Sequence, residues 1–162
     1  MIRDARVDDA AALAAIYNHY VTHTVVTFEE APLSVQEMAD RITETQLAGL
    51  PFLVSTAEGM TITGYAHASK WKGRCAYRHS AEITVYLDPQ HTGRGVGSAL
   101  YDALLPLLKE RGIHAVIGGI ALPNDASVAL HEKFGLAKVG HFTEVGRKFD
   151  RWIDVGYWQR VL

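Results

Sequence analysis

The chain of 162 residues holds a single cysteine, Cys75. An internal disulfide is thereby excluded, and the composition fits a reducing compartment. No apolar run approaches the roughly 20 residues of a membrane-spanning helix. The start, Met1-Ile2-Arg3-Asp4, carries too much charge for a secretory signal, so a cytoplasmic location is expected. Charge of one sign is missing too, since 16 basic against 18 acidic side chains leave a net −2. Nucleic acid and anionic membranes are therefore not expected as partners, and any affinity for phosphate must come from a local site. Two common phosphate motifs are absent. There is no G-x-x-x-x-G-K followed by Ser or Thr. The one glycine-rich loop lies too late, after antiparallel-looking strands, for a Rossmann fingerprint. His19 and His23 have i,i+4 spacing but no acidic or cysteine partner nearby, so no metal is expected. With 48% hydrophobic and 21% charged residues, the chain reads as one domain over 1–162 with a real core.

What is present centres on Val85-Tyr86-Leu87-Asp88-Pro89-Gln90-His91-Thr92-Gly93-Arg94-Gly95-Val96-Gly97-Ser98. Just before and into it, Ala81, Ile83, Val85 and Leu87 alternate with Glu82, Thr84 and Tyr86, the pattern of a half-buried strand. Asp88-Pro89 stops that strand. The glycines at alternate positions let the backbone approach a ligand closely. The helix that follows offers unpaired N–H groups and the positive end of its dipole. Strand, turn, glycines and helix together make a cradle for a phosphate or pyrophosphate.

The remaining elements fall into place around this stretch. A short strand is expected at Ile2 to Arg6. Asp8 is expected to cap a helix through about Tyr20, with Leu13, Ile16, Tyr17 and Tyr20 on one stripe. Ser34-Val35-Gln36-Glu37 is a capping box for a helix from Val35 to about Leu47, closed by Gly49. Phe52 to Thr56 and Thr61 to Ser69 should pair as a hairpin, followed by a basic loop, Lys70 to Arg74, and a central strand from about Tyr77 to Leu87. The helix after Gly95 contains Pro106 within a continuing apolar stripe, which predicts a kink rather than a stop. His114 to Ile120 reads as a strand buried on both faces. A helix capped by Asn124 should reach Phe134, with Gly135 after it. Leu136 to Phe142 and Arg151 to Gln159 are the last strands, joined by a polar connection over Thr143 to Asp150. The order β-α-α-β-β-β-α-β-α-β-β is mixed α/β.

Several side chains carry candidate chemistry. Glu82 projects beside the cradle. It reads either as a salt-bridge partner of Arg74 or Arg78, or as a general base whose pKa is raised among aromatic neighbours. Lys72, Arg74 and Arg78 are either a solvated basic loop or a clamp for an anionic substrate group. Asn124, Ser127 and His131 share one helical face, and Ala126, Ala129, Leu130 and Phe134 the apolar one. That polar face is either an ordinary cap with a surface histidine or a wall beside a cofactor. Cys75 lacks a His–Asn pattern and reads as a small packed thiol.

Val85 to Ser98, followed by Asn124-Asp-Ala-Ser-Val-Ala-Leu-His131-Glu-Lys-Phe-Gly135, resembles the two cofactor segments of the GNAT superfamily of N-acetyltransferases. Ile16-Tyr17-Asn18, Thr27-Phe28, Trp71-Lys72-Gly73-Arg74, Ala76-Tyr77, Leu122-Pro123-Asn124-Asp125 and Trp152 to Gln159 narrow the resemblance. They are similar to the phosphinothricin type and its relatives that acetylate methionine sulfoximine and methionine sulfone. The resemblance implies a GNAT acyl-CoA N-acyltransferase fold, with a mixed, mostly antiparallel twisted sheet and about four flanking helices. It implies acetyl-CoA as cofactor, with its pyrophosphate on Gly93, Arg94, Gly95, Val96, Gly97 and Ser98. Its arm would run along Val85, Tyr86 and Leu87 and touch Asn124, and Lys133 would reach its phosphates. Thr92 stands where the superfamily usually has Gln or Arg, a small departure for a cradle of backbone amides. Glu82 and His131 occupy the family's catalytic positions. Phe28, Lys72, Arg74, Cys75, Ala76, Tyr77 and Tyr86 would surround a small amino-acid-like amine. The chain is expected to be a homodimeric enzyme that moves acetyl directly to that amine. The same fold acting on another amine, or a silent acetyl-CoA-binding module, are the alternatives.

Overall fold

The computed structural model describes residues 1–162. Its elements are β1 (Ile2–Asp4), α1 (Ala10–His23), α2 (Val35–Leu47), β2 (Phe52–Thr56), β3 (Ile62–Lys70), β4 (Ser80–Leu87), α3 (Val96–Glu110), β5 (Ala115–Leu122), α4 (Asp125–Lys133), β6 (Ala137–Lys148) and β7 (Arg151–Val161). This is the order that the sequence predicts. The strands form one 7-stranded sheet, β1-β2-β3-β4-β5-β7-β6. All neighbours run antiparallel except β4 and β5.

Alternation along the strands feeds two cores. On one face, Leu100, Tyr101, Leu104 and Leu108 of α3 pack on Ala66, Ala81, Ile83, Val116 and Trp158. On the other face, Leu13, Ile16 and Tyr17 of α1 and Met38 and Ile42 of α2 cover Phe52, Val54 and Tyr65. Burying each large apolar side chain contributes about 1.5–3 kcal/mol, which explains why short helices hold against a sheet they cannot outlast alone. The capping box of α2 forms as its spacing requires. The Ser34 N–H donates to Glu37 Oε2 at 2.7 Å, and the Glu37 N–H donates to Ser34 Oγ at 3.2 Å.

Some boundaries differ from expectation for identifiable reasons. Asp8 does not cap α1. A turn of 3-10 helix, Val7–Asp9, precedes it, and α1 runs on to His23. The central strand begins at Ser80, because Cys75–Tyr77 coil into a 3-10 turn. Helix α3 continues through Pro106 to Glu110. The expected polar connection over 143–150 is mostly strand. β6 continues to Lys148 past a register shift between Phe142 and Gly146, with Glu144 at φ +51. An edge strand with solvent on both sides shows no apolar alternation, so its sequence resembles a loop.

The carboxylate that organises the start of the chain is Asp9. It accepts from Arg3 Nη1 at 2.7 Å, Arg3 Nη2 at 2.8 Å and the Arg6 N–H at 2.7 Å. The Arg3 hydrogen bonds hold its carboxyl below the usual carboxylate range. A depressed folded pKa gives stability that is present above the unfolded value and is lost as pH falls through the folded one. Asp9→Asn should cost about 1–3 kcal/mol at neutral pH. Urea unfolding should show that deficit shrinking as pH falls from about 5 towards 2, and a deficit independent of pH would contradict the assignment.

Candidate active site

The parallel pairing of β4 with β5 is brief. It joins Ser80 to Ala115, Ala81 to Val116 and Glu82 to Ile117, and stops there. Beyond that point β4 stays paired with β3 as far as Leu87, and β5 stays paired with β7 as far as Leu122. The two strands therefore diverge into a fork, and the β4 edge facing it, from Ile83 onward, is left without a strand partner. Glu82 stands at the crotch. A cleft of about 640 Å³ fills the fork.

Two adjacent glycines of β5 keep the crotch open. A Cβ on Gly118 would lie 2.4 Å from the His131 ring. A Cβ on Gly119 would lie 3.3 Å from Glu82 Oε1 and 3.1 Å from the Tyr157 ring. Successive strand residues face opposite ways, so His131 and Glu82 approach β5 from opposite sides. A glycine inside an apolar strand marks such close approach. The pair Gly118-Gly119 was the available signal, hidden within a run that reads simply as buried strand.

At the outer end of the cleft, Gly93 and Gly95 hold φ +72 and +79, a conformation that glycine adopts without penalty. Gly95 is the N-cap of α3 and supplies no side-chain cap. The first N–H groups of a 15-residue helix are thus free and aimed at the cleft. Lys133 Nζ donates to Ser98 Oγ at 2.9 Å, which brings a cation to the rim. These features fit an anion such as a pyrophosphate. Across the cleft, Asn124 Oδ1 accepts the Ser127 N–H at 3.2 Å, so the expected cap forms. Tyr20, which the sequence places on the stripe of α1 but not in the site, donates its hydroxyl to the Leu87 carbonyl at 2.6 Å and closes another wall.

Glu82 is half-buried, and burial pushes its carboxyl up while Lys72 opposes the shift. Neither Arg74 nor Arg78 pairs with it, which removes the salt-bridge alternative; Arg78 instead donates to the Cys75 carbonyl at 3.2 Å. Lys72 rests over the Trp71 ring at 4.9 Å, and Trp71 meets Tyr157 edge-on at 5.7 Å. Burial and the Glu82 charge raise the Tyr157 hydroxyl. Tyr157 is thus a neighbour of Glu82 that only the three-dimensional arrangement reveals.

His131 is no surface histidine, for it is 3% exposed. Its Nδ1 lies 2.7 Å from the Ser127 carbonyl, which can only accept, so Nδ1 carries the proton. Nε2 then accepts from the Tyr101 hydroxyl at 3.0 Å. Burial lowers its pKa, which favours the neutral ring, while the Ser127 hydrogen bond opposes that shift. Both faces of α4 contribute to the cleft: Asn124, Ser127 and His131 line it, as the cofactor-wall reading expects, and so do Ala126, Ala129 and Leu130, which the sequence assigns to the apolar face.

The structure brings Glu82, Val85, Tyr86, Leu87, Gly93, Gly95, Val96, Gly97, Ser98, Asn124, His131 and Lys133 to this one cleft. Arg94 lies outside its walls, exposed on the loop. Of the expected acceptor residues, only Tyr86 lines it. Lys72, Arg74, Cys75, Ala76 and Tyr77 sit on the exposed loop before β4, and Cys75 is an exposed thiol, not a packed one. Phe28 rests on Gly146, where a Cβ would come within 2.3 Å of its ring.

A splayed parallel pair, a glycine cradle on a helix start and a carboxylate at the crotch define an acyltransferase architecture. The model of the acetyltransferase (GNAT) domain matches residues 2–156, and the chain belongs to that family. It is 39% identical to the phosphinothricin N-acetyltransferase of Streptomyces coelicolor, over 99% of this chain and 95% of that one. It is 35% identical to the L-methionine sulfoximine/L-methionine sulfone acetyltransferase of Salmonella typhimurium, over 99% and 94%. The crystal structure of a phosphinothricin acetyltransferase from Sinorhizobium meliloti in complex with acetyl-CoA superposes with a TM-score of 0.97. Its identity is 35%, over 100% of this chain and 88% of that one.

Lys72→Met should raise the Glu82 pKa further, because the cation that favours the carboxylate is removed. A carboxyl-selective NMR titration reads the shift, and an unchanged or lower value would contradict the coupling. Gly118→Ala should cost about 1–3 kcal/mol in urea unfolding as the new methyl displaces the His131 ring.

Proposed function

We propose that the chain, acting as a single domain, transfers acetyl directly from acetyl-CoA to the α-amine of a small amino-acid-like substrate, with Glu82 as general base. The observation that carries this reading is Glu82 at the crotch of the fork, desolvated, in the same cleft as the glycine cradle. The free amides from Gly93 to Ser98, with Lys133 at the rim, suit a pyrophosphate. The unpartnered β4 edge at Val85, Tyr86 and Leu87 suits a pantetheine arm, whose amides need main-chain partners, and Asn124 flanks it. Acetyl-CoA supplies the thioester carbonyl that an amine attacks.

An α-amino group is mostly ammonium at neutral pH and must lose a proton before it can attack. A carboxyl raised by burial accepts that proton more readily than an ordinary one, so Glu82 suits the task. A β4 N–H on the free edge, such as that of Leu87, suits a developing oxyanion. The neutral His131, with Nδ1–H committed to Ser127 and Nε2 to Tyr101, has no spare proton for a leaving group. Its hydrogen bonds favour a shaping role on the cofactor side of the fork. Lys72, whose charge reaches Glu82, suits the carboxylate or distal oxygens of an amino acid related to phosphinothricin or methionine sulfone, and Arg74 on the same exposed loop offers a second cation. The exposed apolar side chains Val139, Phe142, Val145, Phe149 and Trp152 line up on β6 and the hairpin, and they support self-association as a homodimer.

A panel of amines with acetyl-CoA and thiol detection tests the reading. Phosphinothricin, methionine sulfoximine and methionine sulfone should be acetylated ahead of ordinary amino acids and of a peptide N-terminus. Glu82→Gln should lower kcat by about 10²–10⁴ while leaving acetyl-CoA affinity nearly intact. Turnover of another amine with none of these three, or an unchanged kcat in the variant, would overturn it.

A further inference from the structure

Lys148 is 2% exposed, near the end of β6. Its ammonium donates to one protein acceptor, the carbonyl of Thr27, at 2.8 Å. Burying an ammonium is expensive, and a methionine would fill the same space without that cost. The single bond it makes spans 121 residues, from the β6–β7 hairpin to the segment between α1 and α2.

That segment, residues 24–34, has no helix or strand to order it. It is held instead by side chains. Asn18 makes two bonds of 2.8 Å with Leu33 at its far end. Arg41 pairs with Glu29, and Tyr17 bonds the Thr27 hydroxyl at 2.7 Å. Lys148 is the tie to the C-terminal half of the sheet, and beside it Phe28 packs against Gly146. Val26 of the same segment lines the cleft that Glu82 also lines. Burial lowers the pKa of the ammonium, and the carboxylates of Glu30 and Glu29 oppose that shift only in part.

We infer that Lys148 is a positioning residue for the amine acceptor, its bond to the Thr27 carbonyl fixing the neighbouring Val26 as a roof of the cleft that Glu82 lines. This rests on the reading that the acceptor meets Glu82 there. A loose roof would widen the site on the acceptor side and leave the glycine cradle untouched. The donor and the amine should therefore respond differently to loss of the tie.

The experiment compares wild type with Lys148→Met and Lys148→Arg, using methionine sulfone and acetyl-CoA varied separately. Lys148→Met should raise KM for the amine about tenfold or more and leave KM for acetyl-CoA within about twofold. Lys148→Arg, which keeps the charge and donors, should lie between. Hydrogen exchange in residues 24–34 should quicken in Lys148→Met while α3 and β4 keep their protection. Equal rises in both KM values, a fall in kcat alone, or unchanged exchange would overturn the inference. If Lys148→Met does not fold, Lys148→Gln is measured in the same way. Failure of both would make Lys148 a residue of the fold only and would likewise overturn it. A wild type inactive on every amine counts against the function reading, whereas the exchange result stands apart and bears on Lys148 alone.

Discussion

Three residue pairs of parallel ladder, and no more, join β4 to β5. The candidate site follows from that early ending. Because pairing stops at Glu82, a carboxylate stands where the backbone stops satisfying itself. Because β4 keeps its partner on the other side, its free edge stays in strand conformation as far as Leu87. Because β5 is glycine at the next two positions, nothing fills the gap. A longer ladder would give a better sheet and no site. The cost of the missing hydrogen bonds falls on a strand whose other edge is fully paired, where the surrounding packing can bear it.

The two faces of the sheet differ in character at this point. The α3 face is apolar, and its polar groups close on one another, as His131 does with Tyr101 and Ser127. The α1–α2 face is rich in hydroxyls and charges. Tyr17, Tyr20 and Tyr86 cluster there with ring centroids 5.0 and 5.2 Å apart, and Arg41, Glu29 and Lys148 lie behind them. The two sides of one fork thus offer different environments, one suited to an apolar arm and the other to a charged group.

Features of the sequence were legible where the physics is local. The Ser34–Glu37 box, the Asn124 cap and the Gly93–Gly95 turn each involve residues within a few positions, and each forms as read. Glu82 was legible as a carboxylate near a cradle, but its place at the crotch depends on Ile117, 35 positions away in number, and no periodicity carries that. The inward turn of His131 depends on Tyr101 and on the missing side chain of Gly118. Asp9 displaced Asp8 at the start of α1 because Arg3 reaches it, a competition that propensity does not record. β6 looked like a loop between Thr143 and Lys148 because both its faces meet solvent. Within it, only Gly146 and Lys148 turn inward, too few to announce a strand.

The brevity of the β4–β5 ladder also has a mechanical meaning. The sheet is two panels, β1 to β4 and β5 to β6, stitched at one end and held together below by α3, whose core cluster draws on both. A molecule seated in the fork would extend the stitching with bonds of its own. Occupancy would then couple the panels, and the loaded chain would yield to force or denaturant as one body rather than along its seam.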